Sequence, residues 1–164
     1  MSHKVNFEVY LEEYDDVSQL QIADRQLLNS ARANSIKAYA PYSNFLVGAA
    51  VLLSNGHTIT GSNQENIAFP SGLCAERVAM FAAAANFPGI TISKIAVSAS
   101  MHGRDNYQPV TPCGGCRQVI SEYQTLQNSP IEIIMEGVQG KIQIVETVDM
   151  LLPFKFSAKL DHNQ

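Results

Sequence analysis

The sequence predicts a three-layer α/β domain with a mixed, five-stranded sheet, and three observations carry that prediction. Strand-length apolar or alternating segments recur between Val47 and Val145, and helical or alanine-rich segments interleave with them. Proline or glycine punctuates the main junctions, as at Pro41, Gly56, Pro70-Ser71-Gly72 and Pro88-Gly89. Helices that can cover both faces of a sheet then give three layers. At 164 residues the chain is about one domain's worth, so residues 1–164 are read as a single unit.

Ser18 to Tyr39 reads as a helix, because Leu20, Ala23, Leu27, Ala31 and Ala38 recur near helical spacing, and Ser18-x-x-Gln21 resembles a capping box. Pro41 ends it. Val47–Leu53 is nearly continuously apolar, Asn55-Gly56 is a tight-turn signal and His57–Ser62 alternates, which together predict a β-hairpin. After the break at Pro70-Ser71-Gly72, Ala75–Ala85 reads as a buried helix. Lys94–Ser100 is a strand, Met101–Val110 a loop, and Val119, Ile120, Tyr123 and Leu126 a helical face. Ile131–Met135 and Lys141–Val145 are strands whose short connection makes them antiparallel, and Thr147–Leu152 is a last short helix stopped by Pro153.

Composition narrows the function. With 46% hydrophobic and 16% charged residues, neither disorder nor a fibrous repeat is suggested, and the apolar runs are too short to cross a bilayer, so no membrane partner is expected. The net charge of −4, without a basic run, disfavours nucleic acid and favours a small-molecule substrate. Nothing at the amino terminus has the apolar centre of a secretion signal, so a reducing cytoplasm is the expected location.

Three cysteines are the only ones in the chain: Cys74 in Cys74-Ala75-Glu76-Arg77, and the pair in Pro112-Cys113-Gly114-Gly115-Cys116. Three soft ligands are one fewer than a closed structural zinc site uses, which leaves a position for water. Glu76, two residues from one sulfur, is placed to move that water's protons. Both motifs open helices. Residues two apart diverge in mid-helix, so Cys74 and Glu76 can serve one site only at a first turn, with Gly72 letting the incoming backbone bend. Thr111 reads as the N-cap of the second helix and Pro112 as its first residue, while Cys113 and Cys116 share a face. Arg77 is a candidate to hydrogen-bond the sulfurs, or else a surface salt-bridge partner. A structural site completed by His57 or His102, or three unrelated buried thiols, stays open on spacing alone. His3, His57, His102 and His162 carry no motif.

These residues resemble a known family. Zinc nucleobase deaminases carry a His-x-Glu, Pro-Cys-x-x-Cys signature with a three-cysteine variant, which Cys74-Ala75-Glu76 and Pro112–Cys116 match. Ala40-Pro41-Tyr42-Ser43-Asn44-Phe45-Leu46-Val47-Gly48-Ala49-Ala50, Asn63-Gln64-Glu65-Asn66, Pro112–Gln118 and Leu151-Leu152-Pro153 also look like the small cytidine deaminases, in the family's order. The resemblance implies the cytidine deaminase-like fold and hydrolytic conversion of cytidine and deoxycytidine to uridine and deoxyuridine in pyrimidine salvage. It also implies a homotetramer with one zinc ion per subunit. By the same resemblance Cys74, Cys113 and Cys116 hold the metal and Glu76 shuttles protons. Phe45 would stack on the pyrimidine, Asn63 and Glu65 would hold the ribose, the Ala75 backbone would contact the base carbonyl, and the Thr111 carbonyl would face the departing amine. Phe156 would either close a neighbouring subunit's pocket or pack on its own domain. Against the family's pattern, residues 1–20 form an extension, Leu46 stands where proline is common, and Gln64 replaces an aliphatic residue. Competing readings are a related deaminase of another aminated heterocycle such as blasticidin S, and a non-catalytic zinc-stabilised binding module.

Overall fold

The hairpin signalled by Asn55-Gly56 is present in the computed structural model, which describes residues 2–101, 107–137 and 140–157. Strand β2 (Phe45–Leu53) pairs antiparallel with β3 (Thr58–Ser62), and Gly56 takes the turn at φ +85°. The other strands are β1 (Glu12–Tyr14), β4 (Ile92–Met101), β5 (Tyr107–Gln108), β6 (Glu132–Glu136) and β7 (Ile142–Val145). Their order is β1-β7-β6-β4-β2-β3. Only β4 and β6 run parallel; the β6–β7 pair is antiparallel, as the short connection requires.

The sheet therefore has seven strands where the sequence predicts five. Strand β1 adds to the edge at β7, with Glu12 opposite Ile144, and its Glu-Glu-Tyr sequence has no apolar alternation to announce it. Strand β5 pairs with the end of β4, at Ala99 and Ser100, beyond the stretch of β4 that β6 occupies. It falls within the predicted loop 101–110, of which residues 102–106 lie outside the described residues.

Helices cover both faces. Helix α1 (Ile22–Ser35) packs Leu27, Leu28 and Ala31 against Ala50, Ala96 and Ile134 on one face. Helix α2 (Ala75–Asn86) and helix α3 (Gly114–Gln127) bury Ala79, Met80, Ala83 and Ile120 against Val51, Ile95, Val97, Ile133 and Met135 on the other. Strand residues alternate between these two cores with period two, so Ala50 and Val51 serve opposite faces. A 3-10 turn at Val148–Met150 takes the place of the predicted last helix.

Three helix boundaries differ from expectation. Helix α1 starts at Ile22, and the capping box belongs to a preceding 3-10 turn: Asp16 accepts from the Ser18 N–H at 2.7 Å, while the Gln19 side chain accepts from the Asp16 N–H. The helix stops at Ser35, because Tyr39 leaves it to pair with the segment after β3, accepting from the Glu65 N–H at 2.8 Å. Helix α3 has Cys113, not Thr111, as its N-cap, so Pro112 precedes the helix instead of opening it.

Helix α2 approaches β3 at Gly61, where a Cβ would stand 2.5 Å from the Ala79 nitrogen and 2.7 Å from the Ala75 carbonyl oxygen. Both contacts are backbone, so relief requires moving the helix that carries Glu76. Gly61→Ala should cost about 1–3 kcal/mol, read as a lower urea midpoint.

Candidate metal centre

Each cysteine motif places one cysteine at the start of a helix. Cys74 is the N-cap of α2 with extended backbone (φ −70°, ψ 153°), and Cys113 is the N-cap of α3 in the same conformation (φ −66°, ψ 167°). Both helix mouths thus turn unpaired N–H groups and a partial positive charge toward the sulfurs. Cys116 lies in the first turn of α3 and is fully buried, and Glu76 sits in the first turn of α2 with 4% exposure. The approach to Cys74 is fixed by a reciprocal pair of backbone hydrogen bonds, each 2.9 Å, between Gln64 and Leu73. Gly72 has an ordinary φ of −69°, so it supplies no special bend; a Cβ there would come 3.2 Å from the Gln64 carbonyl oxygen, and the absence of a side chain permits this close stitch.

The three sulfurs converge. Cys74 Sγ and Cys113 Sγ are 3.8 Å apart, Cys113 Sγ and Cys116 Sγ 3.5 Å apart, and all three lie within 4.8 Å of one another. A tetrahedral zinc ion with bonds of about 2.3 Å holds its sulfurs about 3.8 Å apart, so the spacing fits. Among the described residues no histidine, carboxylate or further cysteine joins this cluster. His57 instead stacks on Phe87, ring centres 5.0 Å apart, while His102 lies outside the described residues.

Charge is tightly constrained here. Hydrogen bonding from Cys116 holds Cys74 down at about 5, assisted by Arg77, whose Nη2 lies 3.8 Å from the Cys74 sulfur. The same contact with Cys74, together with burial, pushes the Cys116 thiol far up. Three adjacent thiolates would repel one another, and a positive ion between them would offset that repulsion. Burial, and then the charge on Cys74, raises the Glu76 carboxyl above its usual range.

Beside Cys74 opens a cleft of about 390 Å³, with walls that include Tyr42, Asn63, Glu65, Phe69, Cys74 and Arg77. That volume is in the range of small-molecule sites. Asn63 is fixed by its amide, which accepts from the Val47 N–H at 2.8 Å and donates to the Phe45 carbonyl at 2.9 Å. Glu65 accepts from the Tyr42 N–H at 2.8 Å and from the Ser43 hydroxyl at 2.5 Å; the Ser43 hydrogen bond is the main reason its carboxyl stays below the usual range. Phe45 is half-buried at the start of β2, Ala75 is buried, and Thr111 is exposed just ahead of α3; these three, with Glu76, stand outside the cleft's walls. Sequence reasoning missed Tyr42 and Ser43 as the residues that hold Glu65, and Phe69, which packs edge-on against Tyr42 at 5.6 Å. The only hint was the position of Tyr42-Ser43 in the segment leading into β2.

Three thiols at tetrahedral spacing, at the mouths of two helices on a mixed sheet, are the centre of an α/β protein suited to a soft metal ion. The family is narrower: residues 21–128 match the cytidine and deoxycytidylate deaminase zinc-binding region, and the chain belongs to that family. The chain is 40% identical over 137 residues to the cytidine deaminase of Halalkalibacterium halodurans, covering 83% of this chain and 96% of that one. Its likeness to the cytidine deaminase of Sporosarcina psychrophila is 39% over 133 residues, or 80% of this chain and 90% of the relative. The crystal structure of the Burkholderia pseudomallei cytidine deaminase matches with a TM-score of 0.66 at 38% identity, covering 80% of this chain and 97% of that one. That of the Mycobacterium tuberculosis enzyme matches at 0.65 with 29% identity, over 84% and 100% of the two chains.

Proposed function

We propose that the protein hydrolyses cytidine and deoxycytidine to uridine and deoxyuridine with release of ammonia, a step of pyrimidine salvage in the cytoplasm. The observation that carries this reading is the convergence of three sulfurs at zinc-compatible spacing beside Glu76, a carboxyl-bearing residue that is 4% exposed. Cys74, Cys113 and Cys116 hold one zinc ion per subunit, which when bound supplies the Lewis acidity that activates water at neutral pH. Glu76 takes a proton from the attacking water and delivers it to N3 of the pyrimidine. Once the C4–O bond has formed, Glu76 takes the remaining proton of the added hydroxyl and passes it to the amino group, so that the C4–N bond breaks, ammonia leaves and C4 becomes a carbonyl. A carboxyl raised by burial suits a group that must both take and return a proton near neutrality.

The sugar-binding roles follow the cleft, and the remaining roles follow the family resemblance. Glu65, held by Tyr42 and Ser43, and Asn63, which has a second amide N–H beyond the one given to Phe45, serve the ribose hydroxyls. Phe45 stacks on the base, the Ala75 backbone meets its carbonyl, the Thr111 carbonyl faces the departing amine, and Arg77 steadies Cys74. The assembly is a homotetramer, for which the exposed Phe69 and Phe156 offer apolar surface to bury. Three free cysteines suit the reducing cytoplasm.

The test is zinc content together with loss of cytidine absorbance and ammonia release by the purified protein. A zinc-loaded protein inert toward cytidine but active on blasticidin S would shift the substrate; one inert toward every aminated heterocycle would leave a zinc-stabilised binding module. Glu65→Ala should lower kcat/KM for cytidine by about 10- to 100-fold more than for a substrate without a ribose 3′ hydroxyl. Equal losses would remove the sugar role of Glu65.

A further inference from the structure

Arg117 touches no sulfur, yet its backbone and side chain together hold both peptide carbonyls that flank the Cys113 N-cap. Its N–H donates to the Cys113 carbonyl at 2.9 Å, and its Nε donates to the Pro112 carbonyl at 2.7 Å. Pro112 is buried and lies before the helix, so its carbonyl has no helical partner, and a buried carbonyl without a donor is costly. The same guanidinium extends Nη1 to the Leu151 carbonyl at 2.8 Å, and the next residue, Gln118, donates to the Phe156 carbonyl at 2.8 Å. Leu151 is itself anchored, its N–H donating to Val148 at 2.9 Å and closing the 3-10 turn of the C-terminal segment. One planar fork thus ties the turn that presents Cys113 to a segment from the end of the described chain.

The three proposed ligands are secured in different ways. Cys116 is fully buried and Cys74 is met by Arg77, but Cys113 is exposed, and among the described residues its Sγ has only sulfur atoms as hydrogen-bond partners. The placement of its sulfur rests on the backbone, where the Cys113 carbonyl takes an ordinary helical bond and the Pro112 carbonyl takes its donor from the Arg117 side chain. We propose that Arg117 is a positioning residue for Cys113, and that the segment Leu151–Phe156 contributes through it to retention of the metal. The inference rests on the metal-site reading above and extends it to residues outside the cleft.

The test uses the full-length protein with Arg117→Met, Arg117→Lys and, as a control, Val148→Ala, a core residue of the same C-terminal turn. Zinc transfer to a chromophoric chelator and the absorption spectrum of the cobalt-substituted protein are the readouts, with thermal melts run alongside. Arg117→Met should release zinc about 10- to 100-fold faster, with a shifted cobalt spectrum. Arg117→Lys, whose single ammonium cannot serve both carbonyls as the fork does, should fall between it and the parent. Val148→Ala should lower the melting temperature yet keep the parental spectrum. Parental release rate and spectrum in Arg117→Met would overturn the proposal, as would an equal spectral change in Val148→Ala. Should Arg117→Met fail to fold, Arg117→Lys decides by the same criteria. If the parent itself binds neither zinc nor cobalt, the metal-site reading fails first, and this inference with it.

Discussion

Glu76→Gln is expected to hold zinc at parental stoichiometry while cytidine turnover falls by about 10²- to 10⁴-fold, the usual worth of a positioned acid–base group. The physical basis is that Glu76 is absent from the sulfur cluster, while its 4% exposure gives its carboxyl a protected place in the first turn of the helix that Cys74 caps. Glutamine keeps the volume and removes the exchangeable proton. Because burial already opposes the carboxylate, the neutral side chain should not lower the melting temperature. Metal analysis, ultraviolet assay and a thermal melt on one preparation decide the matter. Near-parental turnover would end the proton-relay role; loss of zinc would mean that Glu76 helps to hold the ion.

Removing the metal should have the second large effect. Stripping zinc with a chelator, or substituting Cys113→Ser, should abolish turnover and lower the melting temperature by about 10 °C. An ion present at about a thousand times its dissociation constant adds about 4 kcal/mol, and each 1 kcal/mol is about 2–4 °C in a chain of this size. Cys113 suits the test because it is exposed, so serine there loses a ligand without opening a hole in the core. Cys116 is buried, and its replacement would mix lost packing with lost metal. A chelated, demonstrably zinc-free protein with the parental melt and parental turnover would remove the ion from both fold and chemistry.

Much of the site was legible because its chemistry is written in local spacing. Cys74-Ala75-Glu76 and Cys113 to Cys116 span single helical turns, and Asn55-Gly56 sets a turn by its own conformational preference. What was not legible depends on partners far along the chain. Thr111-Pro112 looks like a cap and first helical residue, but Arg117 takes the Pro112 carbonyl and the helix opens one residue after Cys113. Helix α1 lost its expected last turn to the pairing of Tyr39 beside Glu65. Strand β1 has two glutamates and a tyrosine, and only the free edge of β7 makes it a strand. Nothing in the sequence around Glu65 announces that the Tyr42-Ser43 backbone, more than twenty residues upstream, closes around its carboxylate.

The pairing of Glu12 with Ile144 also constrains the order in which the molecule can be completed. At a synthesis rate of about 5–20 residues per second, the nascent chain would carry β1 for roughly 7–26 s before its partner strand is made. Throughout that interval the neighbouring Val5, Phe7 and Val9, which stay exposed even in the finished fold, would travel unsheltered outside the ribosome. Of all the strand pairings, this outermost one spans the greatest sequence separation, so its loop-closure cost places it among the last events of maturation.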